Sequence, residues 1–149
     1  MLTWSEFAAA APDLAVWGES RFNRSRVAFL ATITEDGSPR VNPVTPVICE
    51  GHLLLFLAPT SPKVNDLRRN GLYAMHSLID NPSGTGGEFS IKGKATLITD
   101  AEMRERAIDA HCYTPAEDYV LFELSVEAEL ARDYEDGKLI QNRWEPALV

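Results

Sequence analysis

The sequence predicts a mainly β protein with flanking helices, in which roughly six or seven antiparallel strands form a small barrel. One observation is a series of short apolar runs separated by Gly, Pro and Asp, which is typical of strands joined by tight turns. Another is a long alternation of apolar and polar residues near the C-terminus, with apolar side chains at Val120, Phe122, Leu124, Val126, Ala128 and Leu130. Short connections favour antiparallel pairing, because parallel strands require long crossovers.

Bulk composition fits a single domain over residues 1–149, with an N-terminal helical segment at 1–24. The chain has 149 residues, of which 45% are hydrophobic, and a net charge of -8 from 14 Lys and Arg against 22 Asp and Glu. This acidic balance disfavours a nucleic-acid partner, because phosphate backbones require a basic surface. No apolar run reaches membrane-spanning length and the start lacks the basic region of a secretory signal, so we expect no membrane association and a cytoplasmic location.

Turn and capping signals divide the chain into its elements. Helices are predicted over 3–23, broken at Pro12, and over 62–70, where Gly71 suits the position after a helix. A capping box that starts at Thr99 predicts another helix ending near Ala110. Two prolines in the second strand remove ladder donors and predict that part of it lies at a sheet edge. The predicted strands are 27–33, 39–48, 52–58, 72–79, 88–98, 120–130 and 139–144.

Single residues and short segments predict further local features of the structure. Gly93, inside a predicted strand, indicates a bulge or bend. The composition of segment 81–87 indicates a loop, and Asp136-Gly137 indicates the turn of a final hairpin. Trp4 and Trp17 are expected to be packing residues of the N-terminal helices.

The junction between the third strand and the following helix predicts an anion-binding site. Ser61 can act as the helix N-cap and Pro62 suits the first helical position, which leaves backbone N–H groups beside Lys63. The helix dipole and the ammonium group would both favour a phosphate there. The alternative is an ordinary helix start with a solvated lysine, because strand-to-helix turns are common. Arg68 and Arg69 add positive charge, although such a pair usually forms a solvated helix face.

The cysteines and histidines predict neither a metal centre nor a catalytic pair. Cys49 and His52 have a C-x-x-H spacing, but no second ligand pair accompanies them. His111 and Cys112 are adjacent without a nearby Asp, which favours a structural role over that of a base and a nucleophile.

A set of motifs in a fixed order carries a resemblance to a known family. The motifs are Leu30-Ala31-Thr32, Asp36-Gly37-Ser38-Pro39, Ser61-Pro62-Lys63, Leu67-Arg68-Arg69-Asn70, Glu88-Phe89-Ser90-Ile91-Lys92-Gly93-Lys94-Ala95 and Arg143-Trp144. Together they resemble the pyridoxamine 5′-phosphate oxidase-like, FMN-binding split-barrel family over roughly residues 26–145. The resemblance implies a split β-barrel homodimer that binds flavin mononucleotide (FMN) in two clefts at the subunit interface. Members of the wider group bind the deazaflavin F420 instead, and some handle haem.

The same resemblance implies which residues contact the cofactor. Lys63, with Ser61 and Pro62, corresponds to the phosphate-binding segment. The backbone of the strand containing Phe56 and Leu57 is expected to meet the cofactor. The remaining implied contacts are the strand beside the isoalloxazine ring at Asn42, Thr45, Pro46 and Val47, a polar contact at Glu88, and the C-terminal residues Arg143 and Trp144.

The chain departs from the family pattern where cations are expected. The oxidases that make pyridoxal phosphate have Arg, Lys and Arg where this chain has Asn42, Val47 and Pro62. Each lost charge-assisted hydrogen bond is worth about 1.5 to 3 kcal/mol, so FMN binding should weaken and pyridoxamine phosphate oxidase activity is not expected. Arg40, on the same strand face as Asn42, either supplies replacement charge or lies at the surface, because strand periodicity fixes the face but not the depth.

Three functions follow from the resemblance. The first is an FMN-dependent oxidoreductase acting on a small-molecule substrate, in which the protein orients the cofactor and needs no catalytic acid of its own. The second is an F420-dependent reductase with a basic groove formed by Lys63, Arg68, Arg69 and Arg40. The third is a non-catalytic homodimer that carries a flavin or another small ligand.

Overall fold

A curled antiparallel sheet with helices packed around it forms the protein in the computed structural model, which describes residues 1–83, 85–135 and 137–146. The helices in these residues are α1 (Trp4–Ala10), α2 (Pro12–Ser25), α3 (Pro62–Arg69) and α4 (Ala101–Ala110). The strands are β1 (Ala28–Ile33), β2 (Pro39–Val44), β3 (Val47–Cys49), β4 (His52–Leu57), β5 (Leu72–Ser77), β6 (Glu88–Leu97), β7 (Val120–Leu124), β8 (Ala128–Glu135) and β9 (Lys138–Trp144).

The sheet follows the order β2-β1-β5-β6-β7-β4-β3, and the β8–β9 hairpin joins it through β8 and β6. All strand pairs among the described residues are antiparallel. The seven strands of the main path curl into a half-barrel, so the predicted mainly β split barrel with flanking helices is confirmed. The final hairpin is present, although Asp136 of its predicted turn lies outside the described residues.

Gly93 marks the point where β6 changes partners. One edge of β6 pairs with β8 over Glu88–Lys92 and then with β7 over Ala95–Leu97. A Cβ atom at Gly93 would lie 1.9 Å from the carbonyl oxygen of Ser125, so any side chain would force the backbones apart. A bulge or bend is predicted at Gly93, but the ladder between β5 and β6 runs through Gly93 in regular register. The feature found there is the change of partner on the other edge, which lets one strand serve both halves of the barrel.

Two predicted strands are each divided in the structure. The segment 39–48 forms β2 and β3, because the link at Thr45-Pro46 leaves the ladder and Pro46 has no N–H to donate. The segment 120–130 forms β7 and β8, and the link between them makes a bridge from Val126 to Leu2 instead. The single alternation predicted there was wrong.

The link between β7 and β8 also reverses which residues face the core. Leu124 and Val126 are buried as predicted, but beyond the link Glu129 and Ala131 are buried, whereas Leu130 is half-exposed. A shift of one residue in a strand turns every side chain to the other face. An acidic residue therefore lies inside the barrel.

The helix boundaries agree with the capping signals with one correction. Thr3 and Glu6 form a capping box at α1. At α4 the N-cap is Asp100, whose side chain accepts a hydrogen bond of 2.7 Å from the Met103 N–H, so the predicted cap at Thr99 was one residue early. Gly71 follows α3 with a φ of 73°, as expected after a helix.

The core has a large and a small part. The N-terminal helices cover the large one with Trp4, Phe7 and Phe22. The rings of Trp4 and Phe22 contact Phe89 of β6, and the Phe7 ring packs against Trp4. Trp4 is a packing residue, as predicted, and Trp17 lies at the edge of this core with its indole N–H 3.3 Å from the Glu88 carbonyl oxygen. The small core lies beneath α4 and contains Leu54, Phe56, Ala107 and Leu121. Of the helices in the described residues, none has the length and apolar character needed to cross a bilayer.

Candidate functional site

The turn from β4 into α3 places a serine and a lysine at a helix start. Ser61 is the N-cap in an extended conformation, and Pro62 occupies the first turn, as the sequence predicts. The Ser61 hydroxyl does not cap the helix, however, because it accepts a hydrogen bond of 2.8 Å from Lys63 Nζ. The first turn of α3 thus receives no side-chain acceptor from its own N-cap.

Lys63 is within electrostatic range of a second cation, Arg40. Its side chain is half-buried, and its pKa is lowered by burial and also by the positive charge of Arg40. Arg40 projects from β2, and its side chain is 34% exposed. The depth of Arg40, which strand periodicity left open, is fixed by its contact with Asp66 of α3, and there its charge acts on Lys63. We refer to Arg40, Ser61, Pro62 and Lys63 as the α3 corner.

A buried carboxylate lies beneath this corner. Asp66, on the inner side of α3, is 3% exposed. One of its oxygens accepts hydrogen bonds of 2.8 Å from the Thr32 hydroxyl and from Arg40 Nε, and the other accepts one of 3.1 Å from Arg69. Burial acts to raise the pKa of Asp66, but these three hydrogen bonds outweigh it and hold the pKa below its ordinary value. We refer to Thr32, Arg40, Asp66 and Arg69 as the Asp66 cluster.

The corner and the cluster together carry excess positive charge. Arg40, Lys63 and Arg69 are cations, and Asp66 supplies the only carboxylate among the residues in these contacts. Arg69 also donates to the Ile33 carbonyl oxygen at 3.1 Å, so it is held by the protein. The arrangement is suited to an anion at the helix start, where backbone N–H groups and the helix dipole add to the cations.

The predicted ring-side residues lie on β2, on β3 and on the link between them. Asn42 is two residues from Arg40 on β2, pairs with Leu30, and is half-buried. Thr45, Pro46 and Val47 line a cavity of about 80 Å³, together with Arg26 and His111 of neighbouring segments. Burial lowers the pKa of His111, which favours the neutral imidazole at this cavity.

Phe56 and Leu57 present buried side chains. Phe56 faces α4, where the Arg104 guanidinium lies 5.2 Å from its ring centre, and Leu57 belongs to the large core. Both backbones pair with β7 on one edge of β4. On the other edge the β3 ladder runs only from His52 to Leu54, so in the described strands that edge of Phe56 and Leu57 has no strand partner. Their side chains are buried, so a ligand could reach only the backbone of that edge, and the contact with a cofactor stays a prediction.

Glu88 and Trp144 belong to other parts of the molecule. Glu88 lies between His76 Nε2 at 3.5 Å and Arg132 Nη1 at 3.4 Å. The Trp144 ring packs edge-on against Phe7, with 5.1 Å between centroids. The structure therefore brings together Arg40, Ser61, Pro62 and Lys63 of the predicted site, and it puts Glu88 and Trp144 in separate surroundings.

The outer face of the sheet leaves apolar side chains uncovered. Phe29 on β1, Val41 on β2 and Leu72 on β5 are 44%, 61% and 46% exposed. Ala31 and Ala74 lie in the same row as Val41 by register. We refer to these residues as the outer sheet face. An exposed group of large apolar side chains of this kind is typical of an interface.

Sequence reasoning missed the Asp66 cluster. An Asp inside a short helix is usually solvated, and the sequence around Thr32 is typical of an ordinary strand. The one available signal was the placement of Asp66 beside Val64 and Leu67, the apolar stripe of α3.

Comparisons with known proteins agree with this architecture. The sequence profile described as pyridoxamine 5′-phosphate oxidase matches residues 19–132, which is more than half of the chain. No curated protein matches the sequence.

Solved structures of several bacterial proteins share the fold. A conserved hypothetical protein of Mycobacterium tuberculosis has a TM-score of 0.66 and 21% identity, over 76% of this chain and 81% of that one. A protein of Clostridium acetobutylicum related to general stress protein 26, of the pyridoxinephosphate oxidase family, has a TM-score of 0.63 and 16% identity, over 86% and 92%. A heme binding protein of Mycobacterium smegmatis has a TM-score of 0.64 and 18% identity over 84% of this chain, which spans only 56% of that protein.

Proposed function

This chain belongs to the pyridoxamine 5′-phosphate oxidase family, and from that membership we propose that it binds FMN and acts as an oxidoreductase on a small organic substrate. The observation that carries the proposal is the α3 corner, where Lys63 lies in the first turn of α3 and Arg40 is bound to Asp66 of the same helix. When bound, FMN supplies the hydride chemistry through its ring, and the protein supplies position and electrostatics.

The residues of the α3 corner fit the phosphate end of FMN. Arg40 and Lys63 repel each other, and their repulsion contributes to the lowered pKa of Lys63. A phosphate between them would replace this repulsion by two charge-assisted hydrogen bonds, each worth about 1.5 to 3 kcal/mol. Ser61 Oγ holds Lys63 Nζ at 2.8 Å, which restricts the ammonium group to the helix start. The chain's own residues thus bind and orient the ligand.

Arg40 offsets part of the charge that the family's oxidases have and this chain lacks. Asn42, Val47 and Pro62 are neutral where those enzymes have cations. One arginine does not replace three cations, so we propose a flavin protein with a different substrate, not a pyridoxamine phosphate oxidase. We expect FMN binding that depends strongly on the remaining cations, because fewer groups share the phosphate.

A second copy of this chain is the proposed partner. The outer sheet face exposes Phe29, Val41 and Leu72, and a homodimer would remove these side chains from water and complete a cleft that excludes solvent. Placing a charge at Val41, by Val41→Asp, is expected to shift the protein from dimer to monomer in light scattering coupled to gel filtration. A wild-type protein that is monomeric at every concentration would remove the dimer from the proposal.

FMN is favoured over F420 by the role of Arg69. An F420 tail would use a basic groove along α3, but Arg69 is already bound to Asp66 and to the Ile33 carbonyl oxygen. Arg68 and Lys94 line a cavity of about 390 Å³ together with Arg69, and such a tail would have to bind there. A titration with both cofactors distinguishes the alternatives.

The test is a binding panel with a matched control. Purified protein is titrated with FMN, F420 and haem, and fluorescence or absorbance reports binding. We expect saturable FMN binding that weakens about tenfold or more in Lys63→Ala, since one charge-assisted hydrogen bond to phosphate is lost. Lys138→Ala, which removes an exposed lysine of β9, should bind FMN as the wild type does.

Three other binding results would change the assignment. Binding of F420 without FMN would replace the cofactor, and binding of haem alone would overturn the flavin assignment. A Lys63→Ala protein with unchanged FMN affinity would remove the α3 corner from the site. FMN binding without turnover of any electron donor would leave a flavin carrier in place of an oxidoreductase.

A further inference from the structure

We infer that Asp66 is a positioning residue that fixes Arg40 as the second phosphate-binding cation, so that the site selects a phosphate monoester dianion over a diester. The inference rests on the proposed function and concerns the same site. The family comparison does not point to Asp66, and the sequence shows only that it lies beside the apolar stripe of α3. It follows from the contacts of a buried carboxylate that touches no proposed ligand itself.

Asp66 holds Arg40 at one nitrogen of its guanidinium group. Asp66 accepts a hydrogen bond of 2.8 Å from Arg40 Nε, the inner nitrogen of the guanidinium group. No hydrogen bond to a described residue uses the two outer nitrogens, and the side chain as a whole is 34% exposed. An arginine held at Nε keeps its planar fork available to bind two oxygens of one anion. Asp66 therefore orients Arg40 without occupying it.

Two further residues hold Asp66 in place. The carboxylate is 3% exposed, and it is also held by the Thr32 hydroxyl at 2.8 Å and by Arg69 at 3.1 Å. These partners come from β1 and from α3 itself, so Asp66 links the helix to the sheet. A group supported in this way can hold a long side chain in one place, which is the usual role of residues behind a binding site.

The cations around Asp66 outnumber its single negative charge. Arg69 and Arg40 share one carboxylate, and Lys63 is hydrogen-bonded to a neutral hydroxyl. The formal excess is therefore two positive charges, in a protein whose net charge is -8. A phosphate monoester carries up to two negative charges near neutral pH, whereas a diester carries one. The monoester matches the excess, and FMN ends in a monoester.

The experiment uses Asp66→Asn, in which simple charge counting and positioning predict opposite results. Removing a negative charge makes the site more positive, so charge counting predicts tighter binding of a phosphate. Positioning predicts weaker binding, because Arg40 loses its fixed orientation, and we expect FMN affinity to fall about tenfold. Inorganic phosphate should compete with FMN less well in the variant, and riboflavin, which has no phosphate, should bind both proteins equally.

A double-mutant cycle assigns the effect to Arg40. Arg40→Gln should weaken FMN binding about tenfold in the wild-type background and only slightly in the Asp66→Asn background, because the two residues act as a unit. Equal effects in both backgrounds would show that Asp66 has a merely structural role. Should Asp66→Asn fail to fold, Arg40→Lys provides the second test: it keeps the charge but not the fork, and wild-type FMN affinity in that variant would overturn the inference.

Selection for a monoester has its own readout. Phenyl phosphate should displace FMN at a lower concentration than methyl phenyl phosphate, by about tenfold in the wild type and less in Asp66→Asn. Equal competition by the two esters would overturn the selectivity. A wild-type protein that binds neither FMN nor phosphate contradicts the proposed function itself, whereas normal FMN binding with no response to Asp66→Asn contradicts only this inference.

Discussion

Replacing Glu129 by Gln is expected to stabilise the protein at neutral and alkaline pH. Glu129 is 4% exposed on β8, and neither carboxylate oxygen has a hydrogen-bond partner among the described residues. Its register partners are Ile91 on β6 and Trp144 on β9, which offer it no charge. Burial therefore raises the pKa of Glu129 from 4.5 to about 7. The folded protein retains a proton that the unfolded chain releases.

The direction of the pH dependence follows from this raised pKa. Below a pH of about 4.5, Glu129 is protonated in both the folded and the unfolded state, so its ionisation does not lower the free energy of unfolding. Stability is lost as the pH rises through the interval from 4.5 to about 7, because only the unfolded chain gains by ionising. One pKa unit corresponds to about 1.4 kcal/mol, so the upper limit is about 3 kcal/mol, and solvent penetration reduces the expected penalty to about 1 to 2 kcal/mol.

Urea unfolding of the wild type and Glu129→Gln at about pH 6 and about pH 8 measures this penalty. The variant should be more stable at both, and its advantage should grow by about 0.5 to 1 kcal/mol at the higher pH. Glu105→Gln, an exposed position on α4, is the control and should follow the wild type at both. A constant difference between Glu129→Gln and the wild type, or a more stable wild type at the higher pH, would refute the reasoning.

Other substitutions test the fold. Gly93→Ala should destabilise the protein by about 3 kcal/mol or more, because its Cβ would lie 1.9 Å from the Ser125 carbonyl oxygen; thermal unfolding by circular dichroism measures this, and a wild-type melting temperature would contradict it. Tyr73→Phe removes the 2.7 Å hydrogen bond to the same oxygen and should cost about 1 kcal/mol in urea unfolding, with no loss indicating that the bond adds nothing. Arg21→Leu removes the buried guanidinium group that donates to the carbonyl oxygens of Leu78, Gly86 and Gly87. Limited proteolysis should then cut the chain near these residues faster than in the wild type, and unchanged protection would show that other contacts hold them.

Much of the fold could be predicted because local signals and burial agree. The apolar run of β4 is buried on both faces, and Ser61 and Pro62 start α3 where capping rules place them. The wrong predictions lie where pairing with a neighbouring strand determines where a strand ends. The break between β7 and β8 depends on Ser125 meeting β6 at Gly93, which no local pattern encodes.

The site was predicted less completely, for a physical reason. Motif spacing located Lys63, and strand periodicity placed Arg40 on the correct face, but depth and pairing are properties of the packed structure. Asp66 became visible only through its contacts with Thr32 and Arg40 across two elements. For Glu88 and Trp144 the contacts show their surroundings, and their roles toward a cofactor stay predictions.

The central claim is that the α3 corner grips a phosphate, and the ratio of riboflavin to FMN dissociation constants measures this grip directly. The two ligands share the ring and differ in the phosphate. For the wild type we predict a ratio of about 100 or more, falling close to one when Lys63→Ala and Arg40→Gln are combined. A wild-type ratio near one would contradict the account, because the cations at the start of α3 would then contribute nothing to binding.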